Sequence, residues 1–279
     1  MWNYVIPFFL DRNYNLILHS QRGHGLSGLP PPNSDASNSD PRPTTIPLLA
    51  QDIHNLLTHP ELRTLIDGAP DAKDLTPIHS VIGVSQGGAA ALSFATLPSE
   101  RVTRSVIACD TSARTAPGNK EAWAERIQLA RGPVASQNSL VYATAIGLPA
   151  LAKVTVPRWF PTGSPLSTAR SAFVDEMIRT TPLDGFVAGA EALSDFDLIE
   201  SPRPLFSAKI ENVLLLAGEL DGGGKVGAGL KRLQEAWTTE GREGKKVVKY
   251  VEIAGAGHLP MVDKPEQWCE AVGNWLAGF

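Results

Sequence analysis

The chain has 279 residues, 43% of them hydrophobic and 19% charged, which is enough to bury one large α/β core. Its acids and bases are interspersed to a net charge of −4, without the basic run that neutralises phosphates, and this argues against a nucleic-acid partner. No apolar stretch approaches the roughly 18 residues of a membrane span, and no basic segment followed by a cleavable apolar one opens the chain. A cytoplasmic protein with no membrane attachment is therefore expected. The two cysteines, Cys109 and Cys269, fall in strand-like and helix-like segments and read as reduced core residues.

In chain order, Trp2 to Leu10 is strongly apolar but contains Pro7, and its pattern fits either a short helix or an edge strand. Tyr14 to His19 reads as a short buried strand running into a loop from Ser20 to Ser27. Leu29 to Thr45 is rich in Pro, Ser, Asn and Asp and reads as a surface loop. Ile46, Leu49, Ile53, Leu56 and Leu57 then follow helical spacing. A strand is expected at Ile78 to Val84, a helix after it, and another strand at Val102 to Cys109. From Ala113 to Leu198 the pattern is helical in pieces: Lys120 to Ala130, Ser139 to Lys153, Ser167 to Thr180 and Asp184 to Asp195. Strands return at Val213 to Ala217 and Val247 to Ile253, and a last helix starts at Pro265. The alternation predicts a mostly parallel sheet with helices on both faces, and a helical lid inserted after the third visible strand. The expected divisions are a first core part at 1–112, a lid at 113–198 and a second core part at 199–279.

Chemistry gathers at the carboxyl ends of the strands in such a sheet. The strand at Ile78 to Val84 ends in Gly83-Val84-Ser85-Gln86-Gly87, a G-x-S-x-G pattern at a strand-to-helix junction. Glycines flank the serine because side chains two residues away would meet the backbone of so sharp a turn. Ser85 is the candidate nucleophile, and the N–H of Gln86 at the helix start is the candidate oxyanion donor. A serine needs a general base, and His258, in a glycine-rich turn after the last strand, supplies one. Asp221, after the strand at Val213 to Ala217, is the carboxylate that would orient it; Asp110 and then Glu219 are the rivals. Taken singly, Asp221 also fits a turn or helix cap and His258 a loop residue without a duty. The order serine, acid, histidine is the α/β-hydrolase order. His24 is the other histidine expected to line the site, and no histidine shows metal-ligand spacing, so neither a metal nor an organic cofactor is expected.

With these residues together, the sequence resembles the α/β-hydrolase superfamily, most closely its 3-oxoadipate enol-lactonase branch. Four stretches carry the resemblance: Q-R-G-H-G-L-S (Gln21 to Ser27), G-V-S-Q-G-G (Gly83 to Gly88), a lid segment from Arg158-Trp159-Phe160 through Thr181 to Phe186 to Ala192 to Leu198, and G-A-G-H-L (Gly255 to Leu259). The first, second and fourth are shared by many hydrolases; the lid segment is what points to lactonases. The resemblance implies a serine hydrolase acting on a small carboxylic ester or lactone, with Trp159 and neighbouring lid residues shaping the substrate pocket and Arg158 a candidate partner for a substrate carboxylate. Ordinary packing and a surface charge are the plain alternatives for that pair. A homo-oligomer is compatible with it.

The chain departs from the family at its start. Members carry two or three strands and a loop ahead of the helix near Met1-Trp2-Asn3, and that loop supplies a second oxyanion donor. The expectation is a shortened N-terminus, with the Tyr14 to His19 strand either pairing directly with the serine strand or leaving a gap. Loss of one oxyanion donor costs on the order of 10² to 10³ in rate. A non-catalytic member of the fold and a carbon–carbon bond hydrolase are the competing readings.

Overall fold

The computed structural model describes residues 1–29, 43–68, 75–98, 102–132, 140–240 and 247–278. Most of the loop expected at Leu29 to Thr45 lies outside them. The chain opens with a 3-10 turn at Trp2–Tyr4 and the short helix α1 (Ile6–Leu10), so Pro7 sits in a helical first turn. Helices α2 (Ile46–Leu57) and α3 (Pro60–Asp67) follow; the Thr45 side chain caps α2 by accepting from Leu48 N–H. Buried Arg63 of α3 donates to the Thr76 carbonyl at 2.7 Å and pins the approach to the first strand.

Among the described residues, four strands form one parallel sheet in the order β1 (Ile78–Val84), β2 (Thr103–Cys109), β3 (Asn212–Gly218) and β4 (Val247–Ile253). Helix α4 (Gln86–Ala95) links β1 to β2, and α9 (Lys225–Glu240) links β3 to β4. Between β2 and β3 lie α5 (Asn119–Arg131), α6 (Leu140–Trp159), α7 (Thr168–Arg179) and α8 (Leu183–Ser194). The chain closes with α10 (Pro260–Asp263) and α11 (Pro265–Leu276).

One expected strand is absent. Tyr14 to His19 has no regular structure, so the helical insertion follows the second strand of the sheet, not the third. Ile17 and Leu18 are exposed, and the Tyr14 ring packs edge-on against His79 of β1, 5.5 Å between centroids. A strand needs a neighbour for its backbone groups. Here a side-chain contact, not a ladder, reaches β1.

Side chains alternate across the sheet, which divides the core in two. Val213, Leu215 and Ala217 of β3 face the layer of α2, α4 and α9; Leu214 and Leu216 face the layer of α1, α11 and the α6–α7 pair. Burying each of these leucines contributes about 1.5–3 kcal/mol. β2 and β3 are buried on both faces, whereas Ile78 to Ile82 of β1 are only half-buried. Cys109 and Cys269 are both unpaired and buried. Because all four strands run parallel, Ser85, Asp110 and Glu219 leave the sheet along one carboxyl edge.

Candidate active site

Ser85 joins β1 to α4 at φ +55° and ψ −119°, outside the ordinary regions for a residue with a side chain. Such a conformation stores about 1–3 kcal/mol and persists only where its surroundings enforce it. Gly83 is one enforcer, since a Cβ there would lie 2.0 Å from the Gly87 carbonyl oxygen. Gly88 is another, 2.8 Å from the Cys109 carbonyl oxygen. Gly87 is not, because a Cβ there meets nothing within 4 Å. The crowding expected at both glycines of the motif therefore holds for the first and passes from the second to its neighbour. Ser85 N–H donates to the Cys109 carbonyl at 2.9 Å, while its hydroxyl makes no cap bond to α4. The N–H of Gln86, first residue of α4, has no acceptor within the helix.

The structure brings Asp221 and His258 into direct contact: Nδ1 of His258 lies 2.8 Å from Oδ2 of Asp221, both side chains nearly buried. Glu219 is exposed and instead accepts from Gly255 N–H at 2.7 Å, which bends the chain toward the histidine. Asp110, the other rival carboxylate, lies beside Asp221. Asp110, Asp221 and His258 each offer a ligand atom within 4.8 Å of the others. That set suits a small cation in composition; its direct His–Asp hydrogen bond is the arrangement of an imidazole oriented by a carboxylate. Ser85 Oγ makes no hydrogen bond to His258 among the described residues, a looseness common in sites without substrate.

The α6 terminus closes over the histidine. The last carbonyls of a helix have no internal partner, and that of Trp159 accepts from His258 N–H at 2.7 Å. A Cβ at Gly257 would lie 2.1 Å from the same carbonyl oxygen, so this approach requires glycine. The Trp159 ring lies over the imidazole, 5.3 Å between centroids and 31° between planes. Arg158 is exposed; partial desolvation and then Arg126 hold its guanidinium below the usual range, at about 10, while Asp221 acts in the other direction. His24 is half-buried, with Nδ1 3.2 Å from the Arg22 carbonyl and 3.4 Å from Gln21 Nε2, and burial lowers its pKa. A cleft of about 440 Å³ near this loop is lined by His19, Ser20, Arg22, Ser27 and Asp52, and by none of Ser85, Asp221 and His258.

A model of the alpha/beta hydrolase family matches residues 1–271. The chain belongs to the α/β-hydrolase family. Among similar solved structures, an esterase from Thermogutta terrifontis has 22% identity and a TM-score of 0.68, over 99% of this chain and 84% of that one. An enol-lactonase from Burkholderia xenovorans LB400 has 22% identity and a TM-score of 0.63, over 92% and 78%. A bromoperoxidase from Bacillus anthracis has 15% identity and a TM-score of 0.68, over 99% and 86%. At these identities the likeness speaks to the fold. No curated protein matches the sequence. Among the described residues, no helix of this α/β hydrolase is long and apolar enough to cross a membrane.

Two supporting residues of this hydrolase escaped the sequence reading. Gln21 donates to Gln86 Oε1 at 2.6 Å, and Gln86 Nε2 donates to the Gly189 carbonyl of α8 at 2.8 Å, so an amide chain links loop, elbow and insertion. Asp263 accepts from Gly257 N–H and Ser164 Oγ, both at 2.7 Å, and burial raises its pKa. Its place in the apolar run P-M-V-D was the available signal, because a carboxylate buried among apolar neighbours needs donors.

Proposed function

We propose that this α/β hydrolase is a serine hydrolase that cleaves a small carboxylic ester or lactone through an acyl-enzyme. The observation that carries the reading is the 2.8 Å bond from His258 to Asp221. It commits Nδ1 to the carboxylate and leaves Nε2 as the nitrogen able to exchange a proton with a hydroxyl. In this reading Ser85 Oγ attacks the carbonyl carbon as Nε2 takes its proton. The oxyanion forms beside Gln86 N–H at the positive end of α4. His258 returns the proton to the leaving oxygen, which in a lactone stays tethered to the acyl group. Water, deprotonated by His258, then attacks the acyl-enzyme and frees the acid and Ser85. Asp221 holds the imidazole orientation and stabilises its charged form throughout.

The family membership, and neighbours that include an esterase and an enol-lactonase, support hydrolysis of this kind. The lid segment that resembles lactonases supports the lactone in particular, and Trp159 over the imidazole supports residues 113–198 as a lid on the site. A ligand-binding member without turnover is the second reading. It is favoured by the missing Ser85–His258 hydrogen bond and by a β1 that has no strand on its outer side among the described residues.

Intact-mass measurement after fluorophosphonate treatment separates the two. A single adduct on the wild type, absent from Ser85→Ala and His258→Ala variants of unchanged thermal stability, is the expected result, and lactone hydrolysis should then exceed that of open-chain esters. No adduct on the folded wild type would favour the binding protein.

A further inference from the structure

Behind the candidate base pair sits a second carboxyl group that the reaction does not require. Asp110 leaves β2 at φ +49°, and its Oδ1 accepts from Gly218 N–H at 2.8 Å. Its Oδ2 is buried and receives no N–H or hydroxyl donor. The carboxyl of Asp221 lies beside it, with one ligand atom each of Asp110, Asp221 and His258 all within 4.8 Å of one another. Two carboxylate oxygens in a buried contact repel unless a proton or a cation lies between them. An orphaned buried oxygen beside another acceptor is the environment of a protonated carboxyl, whose O–H supplies the donor that this contact lacks.

We propose that Asp110 is a neutral carboxylic acid that donates a hydrogen bond from Oδ2 to the Asp221 carboxylate, and is thereby a positioning residue for His258. The proposal rests on the reading of Asp221 and His258 as the orienting acid and the base. Gly218 N–H on one oxygen and Asp221 on the other fix the Asp110 carboxyl across the ends of β2 and β3. Asp221 is in turn held from behind, so that its Oδ2 stays aimed at Nδ1. The donated hydrogen also withdraws part of the Asp221 charge from the imidazole.

The surroundings favour the neutral acid. Burial pushes the Asp110 carboxyl well above the usual carboxylate range, and the Asp221 charge pushes it further; Gly218 N–H acts in the other direction. Asp263, the last residue of α10, adds negative charge from a third side. Burial pushes up the thiol of Cys109 on the same strand, and burial and then the Glu252 carboxylate push up the phenol of Tyr250 on β4. Arg158 is the cationic group near the pair, and the His258 imidazole bonds Asp221 directly.

The test is the NMR titration of the His258 imidazole in the full chain, with Asp110→Asn and Asp110→Ala. Asparagine keeps the acceptor for Gly218 and puts an N–H where the acid has its O–H, so its titration should coincide with that of the wild type. Alanine removes the donor and leaves the full Asp221 charge on the ring, which should raise the imidazole midpoint by roughly half to one pH unit. A fall of about one unit in Asp110→Asn would mean that an ionised Asp110 had been removed, and would overturn the proposal. So would an alanine variant that titrates like the wild type. Should Asp110→Ala fail to fold, infrared difference spectra of wild type minus Asp110→Asn decide the matter at neutral pH. A protonated-carboxyl C=O band in the wild type is expected, and its absence refutes the proposal. Neither readout needs turnover, so a protein that fails to react with fluorophosphonate still tests Asp110 separately from the hydrolase reading.

Discussion

The two halves of the candidate site are built on different ground. Asp221 and His258 stand at the ends of β3 and β4, and the β2–β3 ends behind them are buried on both faces. Their loops are tied repeatedly: Glu219 to Gly255, Asp263 to Gly257 and Ser164, Trp159 to His258, Asp110 to Gly218. Ser85 stands at the end of a half-buried strand that is at the sheet edge among the described residues. Its conformation is enforced by the crowding at Gly83 and Gly88, with one amide chain from Gln21 through Gln86 to α8. The acid–histidine half is thus held by many independent bonds, and the serine half by the steric shape of one turn. The second kind of support fails all at once when a single atom is added.

The sharpest way to break this contrast is to add that atom. Gly83→Ala places a Cβ 2.0 Å from the Gly87 carbonyl oxygen, a backbone atom that cannot step aside without moving Ser85. A loss of about 1–3 kcal/mol in thermal unfolding, with disappearance of the fluorophosphonate adduct, is expected. Gly87→Ala, in the same motif, meets open space and lies within α4. Its unfolding should be unchanged or stabilised by up to about 1 kcal/mol. Equal losses from the two variants would show that the turn as a whole, not Gly83, enforces the serine.

The buried half should reveal itself through pH. An Asp110 carboxyl raised above its unfolded value of 3.8 binds its proton more tightly in the folded chain. Between that unfolded value and the raised one the folded state carries the extra proton, so wild-type stability falls as pH rises across the window and levels off above it. Asp110→Asn lacks this titration. Denaturant unfolding from pH 4 to 8 should show the variant gaining on the wild type by up to about 1.4 kcal/mol per pH unit. Parallel pH curves for the two would mean that Asp110 titrates alike in both states.

This contrast also sorts what was legible in the sequence. The strands at Ile78 to Val84, Val102 to Cys109, Val213 to Ala217 and Val247 to Ile253 all form, as do the four helical pieces between residues 113 and 198. Burial imposed their apolar runs, and runs of that kind survive any arrangement of neighbours. Tyr14 to His19 carries a similar run without forming a strand, because a strand depends on a partner that its own residues do not encode. Likewise the pairing of His258 with Asp221 over Asp110 or Glu219 depends on three loops meeting, and chain order alone ranked them without resolving it. Gln21 and Asp263 stayed hidden since a polar residue announces a hydrogen bond but not its partner.

Gln21 supplies the smallest and most specific test. Its loop is held by Arg22, which reaches Asp52 of α2 at 2.6 and 2.7 Å, and by Gly23, whose backbone packs on Gly185 of α8. Removing the Gln21 amide should therefore leave the loop in place while freeing the Gln86 Oε1 that it serves. Gln86 would keep its bond to Gly189, so its backbone N–H should loosen without departing. One hydrogen bond of this kind is worth about 1 kcal/mol, and Gln21→Ala should slow fluorophosphonate labelling by roughly fivefold to tenfold with little change in unfolding. If labelling instead proceeds at the wild-type rate, the serine half is held by the shape of its turn alone. If unfolding falls by several kcal/mol, Gln21 is holding the loop, and the two halves of the site are less unequal than their bonds imply.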